Sequence, residues 1–339
     1  MNVTTIGIDL AKHTFSLHGV DSRGNVVFRK TVARTKLLAF LGSLPPCLIG
    51  MEACSGAHYW GRELVGLGHR VGIMAPKFVA AYRKGGKNDG NDAEAICEAV
   101  ARPGMRLVPV KSAEQQAILS LHRVRQGLIK ERTALINQLR GLLSEFGLIM
   151  PKGRYSAQHH IPDILEDADN GLPALTRRLL NDTYQRLRGL NEQVLAYDRE
   201  LNHLVKDSEP ARRLMTLPGI GAITATTMLA SVGDPNQFHN GRQFAAWLGL
   251  TPRQYTTGGK IRLGRITKKG DVYLRTLLIH GTRAVLAAVK DKDDRLSRWT
   301  KTLIERRGYK RAAVALAAKN ARILWAMMAR GEPYRLQSV

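Results

Sequence analysis

Four acidic residues of this sequence stand where an α/β protein could gather them at one edge of a sheet. Asp9 lies near the end of the first predicted strand, and Glu52 follows the fourth. Asp89 and Asp92 lie three residues apart at the start of a predicted helix, so they share one of its faces. Four converging carboxylates repel one another unless they hold a cation, and a divalent ion such as Mg²⁺ takes oxygen ligands and polarises a phosphate held beside it. Each acid taken alone is more often a helix cap or a solvated strand edge, whereas the set of four in this order is far more specific.

Short apolar runs alternate with helical patterns over residues 1–110, which we predict to be one α/β domain. The runs predict five strands, at residues 4–10, 15–20, 25–32, 47–51 and 70–74. The DSRG segment at residues 21–24 is the expected hairpin turn between the second and third strands. Three strands followed by strand, helix, strand and helix predict a mixed sheet.

Residues 111–209 are predicted to form a helical linker and oligomerisation region. Ser112 and Gln115 make a capping box for a helix that runs to about residue 146. Apolar residues three, four or seven apart on this helix and on a second one, over residues 180–204, indicate a coiled-coil hairpin or an oligomeric stalk. The segment between them is predicted to be a loop, and its adjacent His159 and His160 point apart and are not metal ligands.

Residues 210–339 are predicted to be mainly helical. The LPGIG segment at residues 217–221 lies between two helical patterns and predicts a turn of the helix-hairpin-helix kind. Its Gly219 and Gly221 amides could bind a phosphate, because the first turn of a helix has unpaired N–H groups and a positive dipole end. A helix containing Trp247 follows, then a polar Gly-rich loop at residues 251–259 and a basic segment, and then helices at residues 272–289 and 300–329.

The charge of the chain favours a nucleic-acid partner. The 339 residues include 52 Lys and Arg against 28 Asp and Glu, a formal net charge of +24. Residues 251–339 alone hold 21 basic and 6 acidic residues. This excess favours polyanion binding over a basic surface that only serves solubility. Three isolated cysteines, no signal peptide and no membrane-length apolar run predict a cytoplasmic protein with no membrane partner.

Two blocks of motifs resemble a known family. GIDLAKHTF, GMEACSG and NDGNDAEAI, which contain the four acids, resemble the RuvC-like, RNase H-type domain of the DEDD transposases of bacterial insertion sequences, relatives of the Piv DNA invertase. The later block, LPGIGAITATTMLASVGDPNQF with GRQFAAWLGLTPRQYTTGGKIRLGRITKKGDVYLRTLL, is similar to the transposase domain of that family. A central coiled coil also occurs in the family, so the resemblance covers essentially the whole chain.

The resemblance implies a DNA recombinase that excises and inserts its own element. In the family the four acids bind a divalent metal, so Mg²⁺ or Mn²⁺ is the expected cofactor of Asp9, Glu52, Asp89 and Asp92. A Ser of the C-terminal domain attacks the scissile phosphate and forms a covalent protein–DNA intermediate. Family members pair donor and target DNA with a structured guide RNA from the element's non-coding end. They assemble as tetramers, so a dimer to tetramer is expected here.

The sequence departs from the family at the nucleophile. Alignment on LTPRQYTTGGK places Thr257 at the position of the family's Ser, with Thr256 beside it as the alternative nucleophile. A Thr hydroxyl is competent, but its β-branch hinders approach and fixes χ1. Both threonines could instead only shape the turn before Gly258 and Gly259.

Basic and aromatic residues near this loop are expected to contact phosphates and bases. They are Arg253, Tyr255, Lys260, Arg262, Arg265, Lys268 and Lys269. A second cluster could hold RNA or DNA and comprises Arg306, Arg307, Lys310 and Arg311. Trp247 is expected to be a core residue. Two rival functions stay open, a metal-dependent nuclease similar to a junction resolvase and an inactive nucleic-acid-binding remnant.

Overall fold

A computed structural model describes residues 2–86 and 88–335 of the chain. The chain divides into two compact units, of which the first ends at Gln116 and the second begins at Ala117. The first unit is mixed α/β and the second is mainly helical, which confirms the predicted fold class at that level. The three-domain division, with boundaries after residues 110 and 209, stays a prediction.

One mixed sheet organises the first unit. Its strands are β1 (Thr5–Asp9), β2 (Thr14–Val20), β3 (Val26–Ala33), β4 (Leu48–Glu52), β5 (Arg70–Met74) and β6 (Leu107–Val108). They lie in the order β3-β2-β1-β4-β5-β6. β4 is parallel to both β1 and β5, and the other neighbouring pairs are antiparallel. The predicted mixed sheet is confirmed, and the two-residue β6 was too short to leave a pattern in the sequence.

Helices cover both faces of this sheet. They are α1 (Leu37–Gly42), α2 (Ala57–Gly66), α3 (Pro76–Val79) and α4 (Asp89–Val100). Ile6 and Ile8 of β1 are fully buried in a core that includes Leu37 of α1 and Trp60 of α2. Because successive residues of a strand face opposite sides of the sheet, Gly7, between these isoleucines, faces α4 on the other side. Burial on both faces explains why β1 and β4 have continuous apolar sequences.

Three glycines in register let α4 lie directly on the sheet. Gly7 of β1 pairs with Gly50 of β4, which pairs in turn with Gly72 of β5. A Cβ atom on Gly7 would lie 2.1 Å from the carbonyl oxygen of Ala93, and one on Gly50 would lie 2.8 Å from Cβ of Val100. A larger side chain in this row would push α4 away, so the glycines fix the position of α4 relative to the strands.

Long helices dominate the start of the second unit. They are α5 (Ala113–Ser144), α6 (Arg154–Glu166) and α7 (Ala174–Lys206), and α5 begins just before the boundary between the units. The predicted capping box is present at the start of α5. The Ser112 N–H donates to Oε1 of Gln115 at 2.9 Å, and the Gln115 N–H donates to Oγ of Ser112 at 3.1 Å.

The helices α5 and α7 run antiparallel to each other. Arg125 donates from Nε to Oδ1 of Asp198 at 2.6 Å, and seven residues later Arg132 contacts Oδ1 of Asn191 at 3.3 Å. Apolar residues of both helices, among them Leu139 and Leu187, share one buried cluster. These contacts establish a helical hairpin, whereas a coiled-coil supercoil stays a prediction.

The segment between these helices is not the loop that we predicted from its sequence. Residues 154–166 form α6, and His159 and His160 lie on it, both exposed. Ala157 and Ile161, four residues apart on one face of α6, are buried in the cluster shared with α5 and α7. Packing of this short apolar stripe therefore outweighs the poor helical pattern and Pro162, which lies inside the helix.

The remaining helices pack in two further buried clusters, and the remaining two strands lie at the surface. The helices are α8 (Glu209–Met215), α9 (Ala222–Val232), α10 (Gly241–Trp247), α11 (Val272–Ala287), α12 (Arg295–Arg307) and α13 (Tyr309–Arg330). The strands β7 (Pro252–Thr257) and β8 (Lys260–Ile266) form an exposed hairpin where we predicted a loop and a basic segment. The helix predicted over residues 300–329 is broken at Gly308, whose φ of 78° no helix interior adopts.

Among the described residues, α13 has the length and apolar composition that could cross a membrane. A core helix of a soluble protein passes the same test. α13 packs against α8, α10, α11 and α12, and its Leu324 and Met327 are buried in a core shared with α8, α10 and α11. Its apolar character is therefore explained by packing and gives no evidence for a membrane span.

Candidate active site and nucleic-acid interface

Asp9 and Glu52 end two adjacent parallel strands. Ile8 pairs with Met51, so the acids that follow them stand side by side at the carboxyl edge of the sheet. Both side chains are half-buried. The pKa of the Cys54 thiol is raised by partial desolvation first, and then by the negative charges of Glu52 and Asp9.

Asp89 and Asp92 lie in the first turn of α4. Asn88 caps this helix, because its side-chain oxygen accepts from the Asn91 N–H at 2.8 Å. Asp89 is exposed, whereas Asp92 is half-buried and forms an ion pair with Arg83, with Nε 2.9 Å from Oδ1. Sequence reasoning missed Arg83, which lies in an irregular segment with no periodic pattern.

The four acids have the chemistry of a divalent-metal site but are not assembled into one. All four are carboxylates, the ligands that Mg²⁺ and Mn²⁺ prefer. Within residues 2–86 and 88–335, no three His, Cys, Asp or Glu side chains lie close enough together to hold a metal ion. The fold thus sets Asp9 beside Glu52, and the Arg83 ion pair engages Asp92 at the start of α4.

A glycine two residues before each strand acid is a second feature that sequence reasoning missed. Gly7 precedes Asp9 and Gly50 precedes Glu52, and these two glycines belong to the row on which α4 lies. The spacing Gly-x-Asp in one strand and Gly-x-Glu in the next could have indicated a helix crossing close to both acids.

The hairpin of β7 and β8 places Thr257 on a basic face. Thr257 pairs with Lys260 and Tyr255 pairs with Arg262. Directly paired residues project to the same side of an antiparallel hairpin, and so do residues two apart in one strand. Thr257, Tyr255, Lys260 and Arg262 therefore share one face, and all four are exposed.

Thr256 lies on the opposite face of the hairpin. It pairs with Ile261, whose side chain is 63% exposed, and the neighbouring Leu263 is equally open to solvent. The Thr256 hydroxyl accepts a hydrogen bond from Nε2 of Gln254 at 3.0 Å. The two threonines thus differ in surroundings, one among cations and the other among apolar side chains.

A two-residue turn exposes both threonines at the tip. Gly258 and Gly259 connect the strands with φ angles of 55° and 75°, the left-handed values that a tight hairpin turn requires. Arg253 and Arg265 lie on the two strands, and both are exposed. The hairpin carries basic groups along its length, as expected for a surface that contacts phosphates.

The residues after the hairpin include a strained backbone position. Lys268 has φ of 54° and is the one non-glycine residue with positive φ among those described. Its N–H donates to the carbonyl oxygen of Gly249 at 3.1 Å, which holds the segment against the end of α10. Lys268 and Lys269 are both exposed, and this hydrogen bond holds the backbone that carries them beside the base of the hairpin.

The predicted turn at residues 217–221 is confirmed, between α8 and α9. Gly219 has φ of 86°, and its Cβ would lie 2.8 Å from the carbonyl oxygen of Gly281 in α11, so this glycine serves close packing. Gly221 is exposed at the N-cap of α9, where no side chain caps the helix. Of the two glycines predicted to contact a phosphate, Gly221 is the one that is exposed to solvent.

The second predicted basic cluster lies on both sides of Gly308. Arg306 and Arg307 end α12, and Lys310 and Arg311 lie in the first turn of α13, all exposed. Trp247 is partly buried and stacks on Phe244 at 5.6 Å between ring centroids, in agreement with the expectation of a core residue. Tyr255 is 60% exposed and can stack on a base.

The chain is similar to known transposases along its whole length. A DEDD-type transposase model matches residues 6–147, and a model described as the IS116/IS110/IS902 transposase family matches residues 211–297. A Pseudomonas aeruginosa protein described as "probable family 20 transposase" is 51% identical over 336 residues, 99% of each chain. The transposase for insertion sequence element IS1111A of Coxiella burnetii is 45% identical, over 98% of this chain and 92% of its own. The transposase for IS1328 of Yersinia enterocolitica is 42% identical, over 97% of this chain and 98% of its own. With two matching models and relatives of this identity along its full length, the chain belongs to the IS116/IS110/IS902 family of insertion-sequence transposases.

Proposed function

We propose that this transposase cuts and joins DNA through a covalent intermediate in which Thr257 carries the DNA strand. Membership of the family implies a DNA-cleaving and DNA-joining enzyme. The observation that carries the proposal is the face of the hairpin that Thr257 shares with Lys260 and Arg262. Two cations beside an exposed hydroxyl can hold the non-bridging oxygens of a phosphate while the hydroxyl attacks phosphorus.

The proposed reaction conserves phosphate esters. The Thr257 oxygen forms a bond to phosphorus, the bond from phosphorus to one deoxyribose oxygen breaks, and the Thr257 proton passes through solvent to that departing oxygen. In the second step a deoxyribose hydroxyl of the joining strand attacks the same phosphorus and releases Thr257 with a proton. No water is consumed, so the end that carries the phosphate stays bonded to Thr257 until it is joined, and the other end leaves as a free deoxyribose hydroxyl.

Asp9, Glu52, Asp89 and Asp92 would hold a divalent ion, Mg²⁺ or Mn²⁺, in this proposal. DEDD-type transposase domains normally use divalent metals, and a metal bound by these carboxylates would polarise the scissile phosphate. The position of Asp9 beside Glu52 at the sheet edge, where ligands of α/β folds usually bind, supports these assignments, as does the RuvC-like fold that we propose for this unit.

The proposed partners are donor and target DNA, an element-encoded guide RNA and further copies of the chain in the cytoplasm. Transposases bind DNA substrates. The protein has two separate basic surfaces, the β7–β8 hairpin and the cluster of Arg306, Arg307, Lys310 and Arg311, and this supports binding of a second nucleic acid. Exposed leucines on α7, such as Leu175 and Leu179, four residues apart and 59% and 50% exposed, support assembly through the helical hairpin into a dimer or tetramer.

A denaturing adduct assay tests the covalent step. Purified protein with its co-purified RNA is incubated with an end-labelled duplex of the element end in Mg²⁺, denatured in SDS and separated by size. We expect labelled protein in wild type, none in Thr257→Ala, and as much or more in Thr257→Ser, because Ser offers the same oxygen without the methyl group.

Further variants separate the alternatives. Thr256→Ala should still form the adduct. If Thr256→Ala loses the adduct while Thr257→Ala keeps it, Thr256 is the nucleophile. Alanine at Asp9, Glu52, Asp89 or Asp92 should remove the adduct with DNA affinity nearly unchanged. Free DNA ends without any adduct in wild type and Thr257→Ser would replace this proposal by a hydrolytic nuclease. If Thr257→Ser forms the adduct and the wild-type protein neither cuts DNA nor forms it, the wild-type protein is an inactive member of the family.

A further inference from the structure

We propose that a basic cavity at the end of α13 binds a phosphodiester of nucleic acid. We call it the α13 cavity, and it has a volume of about 780 Å³. None of its residues belongs to the hairpin, the turn at residues 217–221 or the cluster around Gly308. Its lining includes Lys319, Arg322, Arg330, Tyr334 and Arg335. The inference rests on the proposed function only in taking nucleic acid as the partner.

The cavity is built by one face of α13 and by the chain that folds back beyond it. Lys319, Arg322 and Arg330 recur at positions i, i+3 and i+11, so they project from one side of the helix. Gly331 ends α13 with φ of 71°, and the following residues turn back to form the second wall. The Tyr334 N–H donates to Oγ1 of Thr216 at 2.8 Å, which anchors that wall.

A smaller space of about 330 Å³ adjoins the cavity and shares Lys319, Tyr334 and Arg335 with it. Its remaining polar wall is the start of α12, with Asp294 and Arg295. The Asp294 carboxylate is occupied as the cap of α12, since it accepts from Ser297 Oγ at 2.6 Å and from the N–H groups of residues 296 and 297. Five basic side chains therefore line the combined space against two acidic ones, Asp294 and the exposed Glu332.

The positive charges of the cavity lack carboxylate partners. In the described part of the chain, no carboxylate forms an ion pair with Lys319, Arg322, Arg330 or Arg335. Burial lowers the pKa of Lys319, and the nearby charges of Arg295 and Arg322 lower it further. Cations crowded in this way repel one another, and an anion placed between them would relieve the repulsion.

The shape and lining of the cavity favour a nucleotide unit of a chain over a small free anion. Its volume is large enough for an organic ligand such as a nucleotide, and it is open to solvent. Ile323 and Met327 add apolar groups to the lining, and Tyr334 adds an aromatic residue. Arginine forks bind phosphate oxygens in pairs, and an aromatic or apolar surface beside them accepts a base or a sugar. A phosphodiester with its attached nucleoside satisfies both parts of the lining.

Binding of two labelled oligonucleotides to the full-length protein tests the proposal. The probes are single-stranded RNA and single-stranded DNA of one sequence, measured by fluorescence anisotropy at several salt concentrations. The test variant is Arg322→Gln with Arg330→Gln, both exposed. The matched control is Arg283→Gln with Arg298→Gln, which removes two exposed arginines outside the cavity.

We expect the test variant to bind at least one probe about tenfold more weakly and with a shallower salt dependence, because up to two phosphate contacts are lost. The control should stay within about twofold of wild type. Loss for RNA alone assigns the cavity to RNA, loss for DNA alone assigns it to DNA, and loss for both assigns it to the shared backbone. Equal affinities of the test variant and the control for both probes would overturn the proposal that the α13 cavity binds nucleic acid, and would leave the proposed function intact. A wild-type protein that binds neither probe also overturns the proposal for the cavity, whereas the proposed function is tested separately on duplex DNA.

Discussion

Arg83 holds Asp92 in an ion pair in which the guanidinium Nε lies 2.9 Å from the carboxylate Oδ1. The two side chains are only 28% and 18% exposed, so solvent screens the pair less than a surface ion pair. Asp92 is one of the four acids expected to bind the metal. The arginine places a positive charge beside this carboxylate, so we expect it to compete with a divalent ion for Asp92.

Replacement of Arg83 should strengthen metal binding. In Arg83→Gln the Asp92 carboxylate no longer has to leave an ion pair worth up to about 1 kcal/mol, so the Kd for Mn²⁺ should fall about two- to fivefold. The binding is measured by calorimetry on DNA-free protein, which requires no catalytic activity.

Lys84→Gln is the matched control for Arg83→Gln. It removes one positive charge from the adjacent residue, whose Nζ lies 3.7 Å from Glu94 and not beside Asp92. The control should change the Kd for Mn²⁺ less than Arg83→Gln does. Equal changes in the two variants would show that only the general charge matters and that the ion pair does not compete with metal.

The contact between Gly219 and Gly281 should be sensitive to a single methyl group. A Cβ on Gly281 would lie 1.9 Å from the carbonyl oxygen of Gly219, a distance that only a backbone shift can relieve. We expect Gly281→Ala to lower the free energy of unfolding by about 2–3 kcal/mol, measured by urea denaturation.

Gly189→Ala is the control for Gly281→Ala, because Gly189 also lies inside a helix, and it should increase stability. Gly189 lies inside α7, and nothing is within 4 Å of a Cβ placed on it. Alanine there should raise the free energy of unfolding by about 0.5–1 kcal/mol, because it loses less backbone entropy on folding. A Gly281→Ala protein as stable as wild type would contradict the packing described for the turn.

The strands that carry the acids could be predicted because their surroundings leave a direct pattern. Strands buried on both faces must be apolar throughout, so β1 and β4 ended visibly where Asp9 and Glu52 begin to meet solvent. The start of α5 was equally predictable, since Ser112 and Gln115 satisfy two backbone N–H groups locally.

Elements set by tertiary contacts or by backbone angles were not predictable in this way. α6 depends on Ala157 and Ile161 packing on two distant helices, and the exposed hairpin has no buried face to impose alternation. The Arg83 ion pair joins an irregular segment to a helix, and no spacing rule links such residues. The sequence accordingly indicated which acids to consider but not that one of them is engaged by an arginine.

Removal of the two lysines after the hairpin should flatten the salt dependence of DNA binding. Lys268→Asn with Lys269→Gln removes both charges, and Asn tolerates the positive φ of residue 268 better than other residues, so the backbone is preserved. We expect the slope of log Kd against log salt to fall by about one to two, with the preferred DNA sequence unchanged. Lys290→Gln with Lys292→Gln, two exposed lysines between α11 and α12, is the control. An equal slope in wild type and the Lys268 and Lys269 variant would place the DNA elsewhere.

His122 is buried in a polar network that joins three helices of the second unit. Its Nε2 lies 3.0 Å from Oγ1 of Thr226 and of Thr227 in α9, and Nδ1 lies 3.3 Å from the Tyr273 hydroxyl in α11. Both threonine hydroxyls donate to backbone carbonyls, so their oxygens are left to accept from Nε2–H, and Nδ1 is left to accept from the tyrosine. The network thus suits the neutral ring. Burial first, and then the charge of Arg125, lower the pKa of His122 to about 4.

This lowered pKa should make the stability of the second unit fall in mild acid. Between pH 6.5 and 4 the unfolded chain binds a proton at residue 122 that the folded protein does not, so the free energy of unfolding falls as the pH is lowered through that window and is fully restored above it. From pH 7.5 to 5 we expect wild type to lose about 2 kcal/mol more than His122→Gln, which cannot take up the proton. Urea denaturation at the two pH values measures the difference, and His159→Gln, at an exposed position of α6, is the control that should behave as wild type. Parallel losses in wild type and His122→Gln would mean that other groups carry the pH dependence and that the buried ring is not held neutral.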